Sequence, residues 1–174
     1  SIIIIMNHTA ISVSPLEWRQ VMKFLSLRQK IETETDHLAL DGADRKSESA
    51  LLAIGRMFAN RKWLVILVAK DGDELIGYIS IFFARFRKMK VNAYLVLSLR
   101  SNYRNQGIGT KLMHEAERVA KGRGIRRLEL EVFAKNIRAH KLFKRLGYEE
   151  EGRKRQVAEI QAGFDDLILM VKFL

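Results

Sequence analysis

The chain is predicted to fold as an α+β domain built on a mixed sheet of about seven strands, with about four helices. Three observations predict this class. Apolar runs of strand length are interspersed with amphipathic helical segments. An Asp71-Gly72 dipeptide between two apolar runs indicates an antiparallel hairpin. Further along, a strand, a helix and a second strand follow one another, which is the order that joins parallel strands of one sheet.

The first half of the chain is predicted to supply a strand, two helices and a three-stranded antiparallel meander. Pro15 suits a helix start, because proline is already restricted to the helical φ and the first turn does not need its N–H. The predicted elements are, in order, a strand at 10–13, a helix at 15–30, a polar irregular segment at 31–46, a helix at 47–60, and strands at 64–69, 74–84 and 91–99.

The second half is predicted to alternate helices with strands and to close with an antiparallel pair. Apolar residues recur on one helical stripe from Gly107 until Gly122 and Gly124 end the helix. Asn136 is a good N-cap for a short helix that Gly147 ends. The predicted elements are a helix at 107–121, a half-buried strand at 128–132, that short helix, and strands at 148–156 and 164–173 around a turn at Gly163.

Composition limits the class of protein. The 174 residues are 48% hydrophobic, include no cysteine, and carry a net charge of +11. This length and apolar content suit one domain over 1–174 with a buried core. The lack of cysteine excludes a disulfide framework and thiolate chemistry. The N-terminal apolar run is too short for a signal segment and no stretch is long enough to span a membrane, so we expect a cytoplasmic protein without a membrane partner.

The most informative motif is the turn Arg104-x-x-Gly107-x-Gly109, which lies between an apolar strand and a helix. Glycines at this spacing allow backbone N–H groups to approach an anion, and the helix that follows directs its positive dipole end to the same point. The spacing does not fit a P-loop. The dinucleotide fingerprint would need a third glycine where Leu112 stands, although Glu129 lies twenty residues past Gly109, as that reading would require. A phosphate-bearing ligand is therefore expected.

Other chemical constellations fail on spacing. The four histidines, His8, His37, His114 and His140, are scattered and have no companions at metal-ligand spacing. No Gly-x-Ser-x-Gly nucleophile elbow occurs. We therefore expect no metal cofactor and no triad hydrolysis.

Beyond the glycine turn, Glu131-Val132, Asn136, Ala139 and the segment 142–148 occur in the order and at the spacing of one known family. Together with the turn they cover about a third of the chain, which on these residues resembles the GNAT superfamily of N-acetyltransferases. The resemblance implies the GNAT fold, in which the central sheet splays apart at the cofactor site. It also implies transfer of an acetyl group from acetyl-CoA, as cosubstrate, to a primary amine of a small molecule or of a protein amino terminus.

The resemblance implies a site for the cosubstrate. The pyrophosphate would rest on the turn and the pantetheine arm would pair with the preceding strand, while Asn136 would lie near the pantetheine. The implied cofactor-binding residues are Leu97, Ser98, Leu99, Arg104, Asn105, Gln106, Gly107, Ile108, Gly109, Thr110, Asn136, Phe143 and Lys144.

The implied chemistry is direct attack of the amine on the thioester in a ternary complex. Because amines are protonated near neutral pH, a base is required. Glu131 occupies the position of a catalytic glutamate in some members, and Glu129 shares its strand face as the reserve. Many members carry a tyrosine where this chain has Phe143. The thiolate then leaves without a side-chain acid, which is the hypothesis we prefer, or a hydroxyl of Tyr148, Tyr103 or Tyr94 replaces it.

The charge distribution leaves open what the basic surface binds and whether acidic residues border the acceptor site. Basic runs at 85–90 and 153–155 are typical of solvated surfaces, and the alternative is attraction to an acidic partner such as RNA. A second function class follows, a catalytically weak acyl-CoA-binding module that contacts RNA or an acidic protein; nucleic acid is the less favoured partner. An acidic rim for a cationic acceptor is also suggested, and the apolar strand at 167–171 allows a homodimer. The rim candidates are Glu32, Glu34, Asp36, Asp41 and Asp44.

Overall fold

The structure is a computed structural model of the chain and describes residues 10–35, 58 and 61–174. These residues form three α-helices and seven strands. The helices are α1 (Val21–Glu34), α2 (Ile108–Gly122) and α3 (Ile137–Arg145). The strands are β1 (Ser12–Pro15), β2 (Leu64–Asp71), β3 (Glu74–Phe83), β4 (Asn92–Leu99), β5 (Arg127–Phe133), β6 (Glu149–Ile160) and β7 (Gly163–Phe173). None of the described helices is both long and apolar enough to cross a membrane.

All seven strands belong to one sheet, in the order β1-β2-β3-β4-β5-β7-β6. β4 and β5 run parallel and are connected through α2, whereas every other neighbouring pair is antiparallel. The predicted mixed sheet, with an antiparallel meander followed by a β-α-β unit, is confirmed. Gly72 (φ +58°) makes the tight turn of the β2–β3 hairpin, because only glycine takes this backbone without a Cβ penalty.

The two long helices cover opposite faces of the sheet. Tyr78 and Ile79 are neighbours in β3 and therefore point to opposite sides. Phe24 of α1 packs edge-on against Tyr78, with ring centroids 4.9 Å apart, whereas Leu112 and Ala116 of α2 belong to the cluster that contains Ile79. The end of α1 and the start of α2 consequently reach the same end of β4 from two sides.

The first helix begins later than predicted, and it ends at Glu34 rather than at residue 30. Pro15, expected at the helix start, is instead the last residue of β1, where it pairs with Leu67 of β2. β1 lies at the edge of the sheet, so a residue without an N–H is tolerated there. The residues that follow form a 3-10 turn at Trp18–Gln20 and then α1.

The end of β6 differs from the prediction, and one predicted helix lies outside the described residues. β6 continues to Ile160 rather than ending at residue 156, because a bulge between Lys154 and Ala158, with Gln156 at φ +51°, lets the strand resume pairing. The helix predicted at 47–60 falls on residues that the structure does not describe, apart from Phe58, which is helical.

Candidate active site

The central feature of the site is a gap between two parallel strands. β4 and β5 pair only at the start of β4, where Tyr94 opposite Glu129 is the last pair. From Leu95 onward the strands diverge, while β4 remains paired with β3 up to Leu99. The predicted splay is therefore present, and it leaves one backbone edge of β4 free to pair with an extended ligand. A cleft of about 770 Å³ opens beside this edge.

The glycine turn forms one wall of the cleft. Gly107 is the N-cap of α2 and adopts a left-handed backbone (φ +78°), which favours glycine. Because the first N–H groups of a helix lack intrahelical partners, Gly109 and Thr110 present a helix N-terminus at the cleft. The helix dipole adds a partial positive charge at this point. The turn is thus built to receive an anion.

Gly109 also allows close packing around the cleft. A Cβ at this position would lie 3.2 Å from Leu142 Cδ2 of α3 and 3.6 Å from Leu97 Cδ2 of β4. The first contact is tighter than side chains normally accept, so a larger residue at 109 would require the Leu142 side chain to shift by a few tenths of an ångström.

Four cationic side chains line the cleft: Arg104, Arg138, Lys141 and Arg145. The three on α3 follow the spacing i, i+3, i+7 and so lie on one helix face. Burial, followed by repulsion from Arg138, lowers the pKa of Arg104. None of the four forms an ion pair with a carboxylate in the described part of the chain. The cleft therefore carries positive charge that an anionic ligand would neutralise.

Two acidic side chains brace the loop before the glycine turn. Glu34, at the end of α1, accepts hydrogen bonds from Arg100 Nε and from the backbone N–H of Ser101, both at 2.8 Å. Burial raises the pKa of Glu34, but these hydrogen bonds outweigh it and hold the pKa below its ordinary value. On the other side, Tyr103 donates from its hydroxyl to Asp71 at 3.0 Å.

One residue of the expected acidic rim, Glu34, is used in this bracing. The Glu34 carboxylate is already bonded to Arg100 and Ser101, so it serves the loop rather than a cationic acceptor. Three other rim candidates, Asp36, Asp41 and Asp44, lie outside the described residues.

The start of α3 is fixed from β7. Asn136 caps the helix, its Oδ1 accepting from the Ala139 N–H at 3.3 Å. The residue before it, Lys135, donates its N–H to Oδ1 of Asp165 at 3.2 Å, and Asp165 is a buried carboxylate. These bonds place Asn136, Ile137 and Ala139 along the cleft.

The two candidate bases lie on the face of β5 opposite its buried residues. Glu131 accepts from Tyr94 Oη at 3.4 Å and pairs with Lys154 Nζ at 2.9 Å. Glu129 pairs with Arg127 Nε at 2.8 Å. Burial and then the charge of Glu131 raise the pKa of Tyr94 to about 12. Tyr94 is therefore a neutral hydrogen-bond donor to Glu131 near neutral pH.

The structure does not bring Tyr148 or Phe143 into the cleft. Tyr148 is 1% exposed and donates its hydroxyl to Glu117 of α2 at 3.2 Å, beside Lys172. Burial and then the Glu117 charge raise the pKa of Tyr148. Phe143 is 6% exposed and packs against the Tyr148 ring at 6.1 Å.

The predicted cofactor residues divide by side-chain direction. Gln106 is exposed, and its amide donates to the Asn102 carbonyl; Ile108 belongs to the core, and Lys144 is exposed on α3. These three and Phe143 do not line the cleft, and the cofactor roles of all the residues stay predictions. Those that do line it are Leu97, Ser98, Leu99, Arg104, Asn105, Gly107, Gly109, Thr110 and Asn136.

Several lining residues were not among the predicted site residues. The α3 cations could have been found from their i, i+3, i+7 spacing, since that phase places them together on one face. Ile31 and Thr35 carry no local signal, because α1 is brought to the cleft by long-range packing. The additional lining residues are Ile31, Thr35, Ile137, Arg138, Ala139, Lys141, Leu142 and Arg145.

Comparisons with known proteins agree with this geometry. Residues 27–148 match the model of the acetyltransferase (GNAT) family. Since the match covers well over half of the sequence, the chain belongs to that family. A curated relative from Methanocaldococcus jannaschii, described as an uncharacterized N-acetyltransferase, is 30% identical over 99 residues, or 52% of this chain and 44% of the relative. The matched part therefore spans less than half the length of that relative.

Solved structures give the same fold. A GNAT-family acetyltransferase from Streptococcus pneumoniae superposes with a TM-score of 0.84 at 25% identity, covering 95% of this chain and 100% of that one. A protein from Salmonella typhimurium, solved with its cofactor acetyl-CoA, gives 0.82 at 16% identity and covers 95% and 94%. A ribosomal-protein-alanine N-acetyltransferase from Brucella melitensis gives 0.80 at 23% identity, covering 94% and 99%.

Proposed function

We propose that the protein transfers the acetyl group of acetyl-CoA to a primary amine by direct attack in a ternary complex. The acceptor is a small amine or a protein amino terminus. The single observation that carries this proposal is the divergence of β4 from β5 beside the start of α2, in a cleft whose cations form no ion pair with a described carboxylate. Membership of the acetyltransferase family supports it.

The lining of the cleft fits acetyl-CoA in three respects. The glycine turn and Arg104 suit a pyrophosphate. The free edge of β4 suits the amides of a pantetheine arm. Ser98 is buried at the cleft, and its Oγ lacks a hydrogen-bond partner among the described residues, which favours a ligand with a polar group at that point. Acetyl-CoA supplies an activated thioester to this site.

Glu131 is the proposed base. The amine nitrogen attacks the thioester carbonyl carbon, and its proton passes to the Glu131 carboxylate, directly or through one water. The carbon–sulfur bond breaks with its electron pair left on sulfur. Tyr94 holds the carboxylate by a hydrogen bond at 3.4 Å. Glu129 is the reserve, because it points to the same face but is paired with Arg127.

The thiolate is proposed to leave without a side-chain acid. A thiol is far more acidic than an amine, so thiolate is a good leaving group near neutral pH. The Tyr148 hydroxyl is committed to Glu117, and the raised pKa of Tyr148 makes it a poorer acid. Tyr103 donates to Asp71 and Tyr94 to Glu131.

Titration calorimetry with acetyl-CoA, followed by a thiol-release assay over a panel of primary amines and peptides, tests the proposal. We expect saturable binding and release of free thiol that depends on one class of amine. Binding without release on any amine would instead support a catalytically weak acyl-CoA-binding module. A protein that does not bind acetyl-CoA would contradict both.

A further inference from the structure

A second concentration of positive charge lies at the other end of the sheet. Three loops meet there, at residues 61–63, 84–91 and 121–126, and we call this surface the basic pole. The loops contain nine lysines and arginines and no aspartate or glutamate. The cations are Arg61, Lys62, Arg85, Arg87, Lys88, Lys90, Lys121, Arg123 and Arg126.

Hydrogen bonds join the three loops into one surface. The Arg123 guanidinium donates to the carbonyls of Arg61 at 3.4 Å and Lys62 at 3.3 Å. The Val91 carbonyl accepts from the Arg126 N–H at 2.9 Å. The Trp63 carbonyl accepts from the N–H of Phe83 at 2.8 Å, at the end of β3. The backbones of the three loops, and the Arg123 side chain, are therefore held in a fixed arrangement relative to one another.

The cations of the pole are unpaired within the described part of the chain. All nine cationic side chains are exposed, and none forms an ion pair within residues 10–35 and 61–174. Arg127, the next residue after the third loop, is bonded to both Glu129 and Glu151. A cluster of like charges without counter-charges creates a strong local electrostatic potential. This potential attracts a polyanion.

An aromatic ring lies among these charges. Phe86 is 75% exposed and stands between Arg85 and Arg87 in the chain. The neighbouring Trp63 ring is already covered by Lys62 at 5.0 Å and Arg85 at 6.0 Å. Phe86 is thus the ring of the pole that offers a free face. Exposed rings beside cations are the arrangement on which unpaired bases stack while the cations contact phosphates.

We propose that the basic pole binds single-stranded nucleic acid, with phosphates on its lysines and arginines and a base on Phe86. Binding to an anionic membrane would need a larger apolar surface, and the exposed apolar side chains of the pole are limited to Phe86, Met89 and Val91 among the described residues. α2 begins at the cleft and ends at the pole, and its 15 residues span about 22 Å. The pole is therefore separate from the cleft, and this inference does not depend on the proposed acetyl transfer.

The test measures fluorescence anisotropy of labelled 20-nucleotide RNA and DNA strands and of the corresponding duplex. We expect both single strands to bind better than the duplex. If about four phosphates are neutralised, affinity falls roughly 50-fold between 50 and 200 mM salt. The Arg87→Gln, Lys88→Gln double variant should bind about tenfold more weakly and show a shallower salt dependence. The control is Arg153→Gln, Arg155→Gln, which removes two cations from exposed positions of β6, where Arg153 pairs with Asp166 at 3.1 Å, and should change affinity less than twofold.

Phe86→Ala separates stacking from charge. This variant should weaken single-strand binding about fivefold or more without changing the salt dependence, because the phosphate contacts remain. Circular dichroism and a thermal melt of every variant confirm that the fold is retained. Equal loss of affinity in the β6 control, tighter binding to duplex, or binding only to vesicles that contain anionic lipid would each overturn the proposal.

Discussion

The cleft and the β5 face that carries the proposed bases differ in how their charges are satisfied. At the phosphate end, beside the start of α2, Arg104 and the α3 cations have no acidic partner among the described residues. On the face of β5 that carries the proposed bases, which we call the chemical end of the proposed site, Glu131 is bonded to Tyr94 and Lys154 and Glu129 is bonded to Arg127. Neither glutamate lines the cleft. The phosphate end is therefore ready for an anion as it stands. Under the proposed function, a cationic acceptor would compete with Lys154 for Glu131.

Replacement of the proposed base tests the chemical end and should have the largest effect. Glu131→Gln keeps the shape of the side chain but cannot accept the amine proton, so kcat should fall about 10²- to 10⁴-fold. The KM for acetyl-CoA should change little. Steady-state kinetics with Glu129→Gln as the matched control should show a loss of less than about fivefold. The reverse ranking would assign the base to Glu129.

Removal of one unpaired cation tests the phosphate end. Arg138→Gln should raise the Kd for acetyl-CoA about tenfold, because a charge-assisted hydrogen bond to an anion is lost. Lys144→Gln is the control, since Lys144 lies on the same helix but does not line the cleft. Calorimetry measures both. Equal effects would mean that long-range attraction, rather than contact, governs binding.

A residue outside the cleft should affect one of the cleft walls. A Cβ on Gly77 of β3 would lie 2.5 Å from Leu99 Cδ1 and 3.0 Å from the Ser98 carbonyl oxygen. Gly77→Ala should therefore displace Leu99, which lines the cleft, and raise the KM for acetyl-CoA about fivefold. In β6, Gly152→Ala is the control, because its nearest atom, Leu169 Cδ1, is 4.0 Å away. An unchanged KM in Gly77→Ala would show that Leu99 adjusts freely.

Tyr148→Phe tests whether the Tyr148 hydroxyl acts as the acid that protonates the leaving thiolate. The variant loses the hydrogen bond to Glu117, so the unfolding free energy should fall by about 1 kcal/mol and the Tm by about 2–4 °C. The value of kcat should stay within about threefold of wild type. A kcat loss of a hundredfold or more would instead make Tyr148 the acid that Phe143 cannot be.

The smallest effect is expected from the brace of the glycine turn and depends on pH. Glu34 has a pKa below its ordinary value, so its ionised form contributes stability above the unfolded-state pKa of about 4.3, and this contribution is lost as the pH falls through the lower folded value. Wild type should exceed Glu34→Gln by about 1 kcal/mol above pH 5, and the difference should shrink below about pH 4. Thermal melts measure this, with exposed Glu159→Gln as the control. A difference that does not change with pH would exclude the charge as its source.

The sequence allowed prediction of features that depend on local spacing. The glycine turn, the alternation of β5 and the Asn136 cap all lie within a few residues of the atoms they position. Side-chain direction was harder to predict. Phe143 and Lys144 belong to the right helix, but its rotation places Arg138 and Lys141 at the cleft instead.

Features that join distant parts of the chain could not be predicted. Tyr148 meets Glu117 across 31 residues, Lys154 meets Glu131 across 23, and Glu34 meets Arg100 across 66. Each pair forms only when the sheet and helices are assembled. The periodicity of residues within one element therefore does not predict it.

The open edge of β4 has a consequence for the stability of the whole protein. Backbone groups from Leu95 to Leu99 lack a strand partner on the β5 side, so under the proposed function the pantetheine arm completes the sheet as an added strand. A ligand that binds only the folded state stabilises it by mass action, by about 2.7 kcal/mol at one hundred times its Kd. The lifetime of the folded protein then rises and falls with the supply of activated acetyl groups.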